Sequence, residues 1–116
     1  MSAALAIEST LREVVRLLVA GEYLLLEQLS RGTRLTAAEI EAGVSEFGRQ
    51  LVFPPQDAFS EVDVVPIRNS SPPEYSIRFH LYTAGEGQSD LELQATFIEA
   101  PSEEFMRVEI DNILVA

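Results

Sequence analysis

His80 is the only histidine in this 116-residue chain, and it belongs to the set of side chains best suited to acid–base or metal chemistry. If residues near 80, 92 and 111 lie on neighbouring strands, His80, Glu92 and Asp111 fall in one cross-strand row. The imidazole could then be a general base oriented by Glu92, or one metal ligand beside two carboxylates. The alternative is a solvated lattice of ion pairs and hydrogen bonds, worth about 0.2–1 kcal/mol per pair.

The same alternation predicts a second row beside the first, formed by Arg78, Gln94 and Glu109. We call the whole predicted surface the polar sheet face; it comprises Ser76, Arg78, His80, Glu92, Gln94, Thr96, Arg107, Glu109 and Asp111. From it we select five residues as the predicted binding site, and we predict no catalytic residue. These five are Arg78, His80, Glu92, Glu109 and Asp111.

A second candidate is the segment from Gly85 to Asp90, with two glycines and two carboxylates. The glycines could let a backbone approach a ligand, and Glu86 with Asp90 could bind a hard cation. However, no Lys or Ser/Thr follows at phosphate-loop spacing, and the oxygen ligands are too few for a calcium loop. A tight hairpin, in which glycine supplies a positive φ, accounts for the segment better. We therefore expect no metal site and no cofactor.

Two runs of alternating apolar and polar residues flank this segment, and together they predict a β-hairpin. Their apolar residues all have odd numbers, so a slip by one residue would turn one apolar set toward solvent. The loop would be Ala84–Gln88. The predicted register pairs Leu81 with Leu91, Phe79 with Leu93, Ile77 with Ala95, and Tyr75 with Phe97.

The chain contains two further stretches that resemble strands. Phe105 to Val115 alternates until Asp111-Asn112, where the break in phase predicts a bulge. Val62 to Ile67 has strand propensity, but Pro66 indicates an edge position or a bulge. The predicted pairing of the last strand joins Met106 to Phe97, Val108 to Ala95, and Ile110 to Leu93.

The first half of the chain predicts three helices. Residues 3–20 carry an apolar stripe opposite charged side chains, and residues 22–30 follow directly after Gly21. Thr36 and Glu39 have the spacing of a capping box, which predicts a third helix ending near Arg49.

These elements predict one α+β domain over residues 1–116, with three N-terminal helices on a curved antiparallel sheet of three to four strands. The helix break Ala20-Gly21-Glu22-Tyr23 and the closing strand FMRVEIDNILV resemble the NTF2-like (cystatin-like) cone. The segment LYTAGEGQSDLEL resembles a family of small uncharacterised bacterial proteins, which implies no function.

The amino-acid composition disfavours several classes of function. Nineteen acidic residues against eight basic ones give a net charge of −11, which disfavours binding to nucleic acid or to an anionic membrane. The absence of cysteine excludes a disulfide scaffold and a thiolate metal site. Charged residues at helical intervals in the first twenty positions do not fit a signal peptide, so we expect a soluble, cytoplasmic protein.

The sequence favours a non-enzymatic acidic module that binds another protein or a second copy of itself, with an immunity-type or regulatory role as a specialisation. The predicted inner sheet face offers only the Tyr75 hydroxyl as a catalytic group, which disfavours an enzyme. The alternative is an NTF2-like small-molecule-binding or enzymatic domain with a pocket in the cone. An interior filled by side chains would favour the binding module, and a cavity lined by buried polar groups would favour the domain with a pocket.

Overall fold

The computed structural model describes residues 2–116, in which helices pack against an antiparallel sheet of five strands. The predicted α+β class is therefore confirmed, although the closed curvature of a cone remains a prediction. The helical elements are α1 (Ala3–Val19), α2 (Tyr23–Leu29), α3 (Ala37–Phe47) and a 3-10 helix (Gln56–Glu61). The strands are β1 (Leu51–Val52), β2 (Asp63–Pro66), β3 (Glu74–Thr83), β4 (Gly87–Ile98) and β5 (Arg107–Val115).

The predicted start of α3 is confirmed by its hydrogen bonds. The Glu39 backbone N–H donates to Thr36 Oγ1 over 3.2 Å, and the Thr36 backbone N–H donates to Glu39 Oε1 over 2.9 Å. This capping box satisfies donors that the first turn of a helix leaves free. The helix ends at Gly48, whose φ is +75°.

The sheet has β3, β4 and β5 in consecutive order, while β1 and β2 share the outer edge of β3. β1 pairs with Tyr82 and Thr83, and β2 pairs with residues 75–78. The edge position predicted from Pro66 is confirmed. β1 and the 3-10 helix were not predicted, because a two-residue strand and a single short turn leave too little periodicity to detect.

The β3–β4 register is confirmed for three of the four predicted pairs, and the fourth, Leu81 with Leu91, is wrong. Between the pairs His80–Glu92 and Tyr82–Gln88, one residue of β3 lies opposite three of β4. Ser89 closes this bulge, because its hydroxyl donates to the Leu81 carbonyl over 2.7 Å and accepts from the Leu91 N–H over 3.1 Å.

The bulge shortens the hairpin loop from the predicted Ala84–Gln88 to Ala84–Glu86. Gly85 and Gly87 have φ values of +82° and +77°, as expected for glycines in a tight connection. The bulge adds two residues to β4, an even number, so the alternation of its side chains is preserved. Both Ser89 and Leu91 are therefore buried on the core side.

The predicted β4–β5 register is wrong by two residues up to the bulge and by three beyond it, where Leu93 pairs with Ile113 rather than Ile110. Phe97 pairs with Val108 rather than Met106, and Ala95 pairs with Ile110. Met106 lies outside β5, and its backbone N–H donates to Thr10 Oγ1 of α1 over 3.0 Å instead of joining the ladder. The predicted bulge is confirmed, since the register shifts at Asp111 between the pairs Ala95–Ile110 and Gln94–Asn112.

The space between the helices and the inner sheet face is filled by apolar side chains. The Phe59 ring stacks on Phe79 with centroids 5.4 Å apart and an interplanar angle of 9°. The largest fully buried side chains include Phe59, Phe97, Leu11, Leu18, Leu26, Ile40, Ile77, Leu93 and Ile110. Within residues 2–116 we find no helix that combines the length and apolar character needed to span a membrane.

Candidate functional site

The polar sheet face lies opposite the helices, because its residues alternate along the strands with the buried apolar set. Its cross-strand rows differ from the predicted ones. Glu92 faces Leu114 instead of Asp111, and Gln94 faces Asn112 instead of Glu109. Both predicted rows are therefore wrong on β5 by three residues, two from its register and one from the bulge at Asp111. Their β3–β4 pairs, His80 with Glu92 and Arg78 with Gln94, are confirmed.

His80 is held by contacts through both of its ring nitrogens. Nδ1 lies 3.0 Å from the Ser89 carbonyl oxygen, and Nε2 lies 3.8 Å from Glu92 Oε2. A carbonyl oxygen only accepts hydrogen bonds, so Nδ1 carries a proton in this contact. The two ring nitrogens are thus turned toward groups of the chain itself, Nδ1 toward the Ser89 carbonyl and Nε2 toward the Glu92 carboxylate.

Glu92 is 8% exposed, an unusual burial for a carboxylate. It accepts a 2.8 Å hydrogen bond from Gln94 Nε2, and Gln94 Oε1 accepts from Asn112 Nδ2 over 3.4 Å. A row of polar contacts thus runs across β4 to β5, starting from His80 on β3. These contacts orient Glu92 and offset part of the cost of its burial.

Glu109 and Asp111 belong to a separate cluster organised by Arg34. Arg34 Nε lies 3.5 Å from Glu109 Oε1 and 3.3 Å from Asp111 Oδ1, and Asp111 Oδ2 accepts from Thr96 Oγ1 over 2.8 Å. The following N–H, of Leu35, donates to the Ile110 carbonyl over 3.3 Å. Sequence patterns missed Arg34, since it lies in an irregular segment with a φ of +74°.

Arg78 differs from the other members of the predicted binding site. Its side chain is exposed, and no carboxylate of residues 2–116 lies within 4 Å of its guanidinium, although Asp63 is its cross-strand partner on β2. By the same criterion Arg68 and Arg107 are also unpaired, whereas the other five arginines form ion pairs. Arg78 is therefore free to bind a partner's acceptor.

The predicted metal alternative required His80, Glu92 and Asp111 together. The structure separates Asp111 from the other two, since Asp111 contacts Thr96 and Arg34. Across residues 2–116, no three His, Cys, Asp or Glu side chains are grouped so that they could hold a metal ion.

Surface depressions occur at the rims of the fold. One of about 110 Å³ is lined by Glu61, His80, Tyr82 and Gln88 together with parts of Ala58 and Phe79. This is small beside the roughly 300–1,000 Å³ of typical ligand pockets. A larger groove of about 340 Å³ lies between α3 and the ends of β4 and β5.

The Tyr75 hydroxyl, the one catalytic group expected on the inner face, donates to Glu99 Oε2 over 2.7 Å. This hydrogen bond, followed by burial and the negative charge of Glu99, raises the pKa of Tyr75 above its ordinary value. The hydroxyl is therefore bound to the segment that leaves β4 and does not face an interior cavity.

A family model described as a domain of unknown function, DUF7668, matches residues 15–116. The chain belongs to the DUF7668 family. The matched residues contain all five strands of this DUF7668 domain and its entire polar sheet face. Neither the search of curated proteins nor that of solved structures found a match. The family assignment agrees with the expected absence of a transferable function, while the bacterial origin and the NTF2-like relationship remain predictions.

Proposed function

We propose that this DUF7668 domain is a non-enzymatic module that binds another protein through its polar sheet face. The observation that carries the proposal is the contrast between Arg78 and its neighbours. Glu92, Glu109 and Asp111 are held by contacts within the chain, whereas the Arg78 guanidinium is exposed and unpaired. Arginine is enriched at the energetic centres of protein interfaces, which fits this placement.

The surroundings of Arg78 support a protein partner. Val65, 55% exposed, pairs with Ser76 on the β2 side, and Leu114, 38% exposed, pairs with Glu92 on the β5 side. A partner could bury both apolar side chains while pairing with Arg78. Hydrogen bonding within the chain already restricts the Glu92 side chain, so the binding of a partner would cost little additional side-chain entropy there.

The filled interior supports this class over a domain with a pocket in the cone. Leu11, Phe59 and Phe97 are among the large side chains that occupy the space between helices and sheet. A cytoplasmic immunity-type or regulatory role is a specialisation of the same proposal, which rests on the protein's small size and its net charge of −11.

The proposal is tested by comparing Arg78→Ala/His80→Ala with Arg49→Ala in quantitative affinity enrichment from the native host. Arg49 is an exposed arginine outside the polar sheet face, so its variant controls for loss of a surface charge. We expect a stoichiometric partner that wild type and Arg49→Ala retain and the double variant loses. Arg49→Ala should keep the wild-type melting temperature, and the double variant, which loses the contact between His80 and Ser89, should melt at a lower temperature but stay folded at the assay temperature. Retention of every partner by the double variant would contradict the proposal, and sedimentation velocity would reveal whether the partner is a second copy.

A further inference from the structure

The short helix α2 exposes two adjacent leucines. Leu24 is 60% exposed and Leu25 is 46% exposed, whereas Leu26 on the opposite side of the helix is fully buried. At 100° per residue, Gln28 shares the exposed side with both leucines. The helix therefore buries Leu26, packs Tyr23 and Leu29 partly against the core, and exposes Leu24 and Leu25 to solvent.

The segment from residue 22 to residue 47 contains five carboxylates, and none of them has an ion-pair partner among the described residues. The two arginines of this stretch instead form ion pairs outside it, Arg31 with Glu103 and Arg34 with acids of β5. Two of the five carboxylates accept hydrogen bonds at the start of α3: Glu27 accepts from the Ala37 N–H, and Glu39 forms the capping box.

The other acids of this stretch, Glu22, Glu41 and Glu46, are exposed. Glu22 directly precedes α2. Glu41 lies on α3, which packs against α2, and the pKa of Tyr23 in α2 is raised first by burial and then by the negative charge of Glu41. We call Glu22, Tyr23, Leu24, Leu25 and Glu41 the leucine–glutamate patch.

We propose that the leucine–glutamate patch docks a basic protein surface, one with an apolar centre and a rim of Lys or Arg. Burial of Leu24 and Leu25 would supply the apolar contact, while Glu22 and Glu41 would pair with the basic rim. The net charge of −11 would accelerate the encounter with such a partner. A symmetric contact between two copies would instead place like carboxylates together, and an anionic membrane would be repelled.

This inference concerns a different surface from the polar sheet face and does not depend on the proposed function. The probe is a synthetic amphipathic helix built from Leu and Lys, with a Leu/Glu helix of the same pattern as negative control. Amide chemical shifts of the full chain should change in α2 and the facing part of α3, and calorimetry should give the affinity. The Leu/Glu helix should not bind.

Variants at the patch separate specific docking from general attraction to an acidic protein. Leu24→Ser/Leu25→Ser should weaken Leu/Lys binding by at least about tenfold, because two buried leucines contribute more than 1.4 kcal/mol. Leu5→Ser/Ile67→Ser is the matched control, since it replaces two exposed apolar residues that lie outside both the patch and the polar sheet face, and it should leave the affinity within about twofold. Glu22→Gln/Glu41→Gln should reduce the dependence of the affinity on salt.

Three results would overturn the inference. Shifts spread evenly over the surface, or equal losses in the two serine pairs, would indicate non-specific attraction. A wild-type dimer in sedimentation velocity that Leu24→Ser/Leu25→Ser dissociates would show that a second copy covers the patch. Loss of peptide binding in Arg78→Ala/His80→Ala, with retention in Leu24→Ser/Leu25→Ser, would place the peptide on the polar sheet face.

Discussion

The hydroxyl of Thr10 in α1 accepts the backbone N–H of Met106 over 3.0 Å and donates to the Ala6 carbonyl over 2.8 Å. Thr10 is fully buried, and it is separated from Met106 by 96 positions in the sequence. One hydroxyl therefore ties the first helix to the start of the last strand. The contact lies one residue before the first residue of β5.

Thr10→Val should destabilise the fold by about 1–3 kcal/mol, because it leaves the buried Met106 N–H without an acceptor while nearly preserving shape. Urea denaturation measures the loss. Thr10→Ser keeps the hydroxyl and should recover part of the stability. Equal stabilities of the Val and wild-type proteins would show that water satisfies the Met106 N–H.

Phe79→Ala should cost about 3–5 kcal/mol, since Phe79 is 3% exposed and stacks on Phe59. Phe53 provides the comparison, because its ring also contacts Phe59, at 5.5 Å between centroids, yet it is 44% exposed. Phe53→Ala should cost about 1 kcal/mol. A loss below about 1 kcal/mol for Phe79→Ala in chemical denaturation would contradict the packing of the inner face.

Gly43 allows α3 to approach β5 closely. A Cβ at this position would lie 3.0 Å from the Ile113 carbonyl oxygen and 3.2 Å from Ile113 Cβ. We expect Gly43→Val to cost about 1–3 kcal/mol through overpacking, although valine is the better helix former. Ala42→Val, at an exposed position of the same helix, should cost about 0.5 kcal/mol. Thermal denaturation showing equal losses would mean that β5 shifts without cost.

The hydrogen bond from Tyr75 to Glu99 predicts a change of stability at high pH. The folded-state pKa of Tyr75 is raised above the unfolded value of about 10, so its contribution is fully present below that pH. The contribution is lost as the pH rises through the folded-state pKa. In phenolate absorbance titrations, Glu99→Gln should lower the Tyr75 pKa toward 10, with Tyr75→Phe identifying its signal. Identical titrations of the wild type and Glu99→Gln would contradict this coupling.

The sequence alone determined which side chains face the core. In a strand the side-chain period is two, so the odd-numbered apolar residues from Tyr75 to Phe97 could form only one buried face. That reasoning located the polar sheet face and the pairs of Phe79 with Leu93 and Ile77 with Ala95. The capping box at Thr36 and the edge position of Pro66 were equally local signals, and both are confirmed.

Only the tertiary structure decided which polar side chains meet. An alternating pattern is unchanged by a shift of two residues, so it cannot distinguish Met106 from Val108 as the partner of Phe97. The hydrogen bond from Met106 to Thr10 accompanies the observed register, and Arg34 reaches Glu109 and Asp111 from a segment without periodicity. Long-range contacts of single side chains leave no local pattern. Of the predicted row, the pair of His80 with Glu92 is therefore confirmed, whereas the placement of Asp111 beside them was wrong.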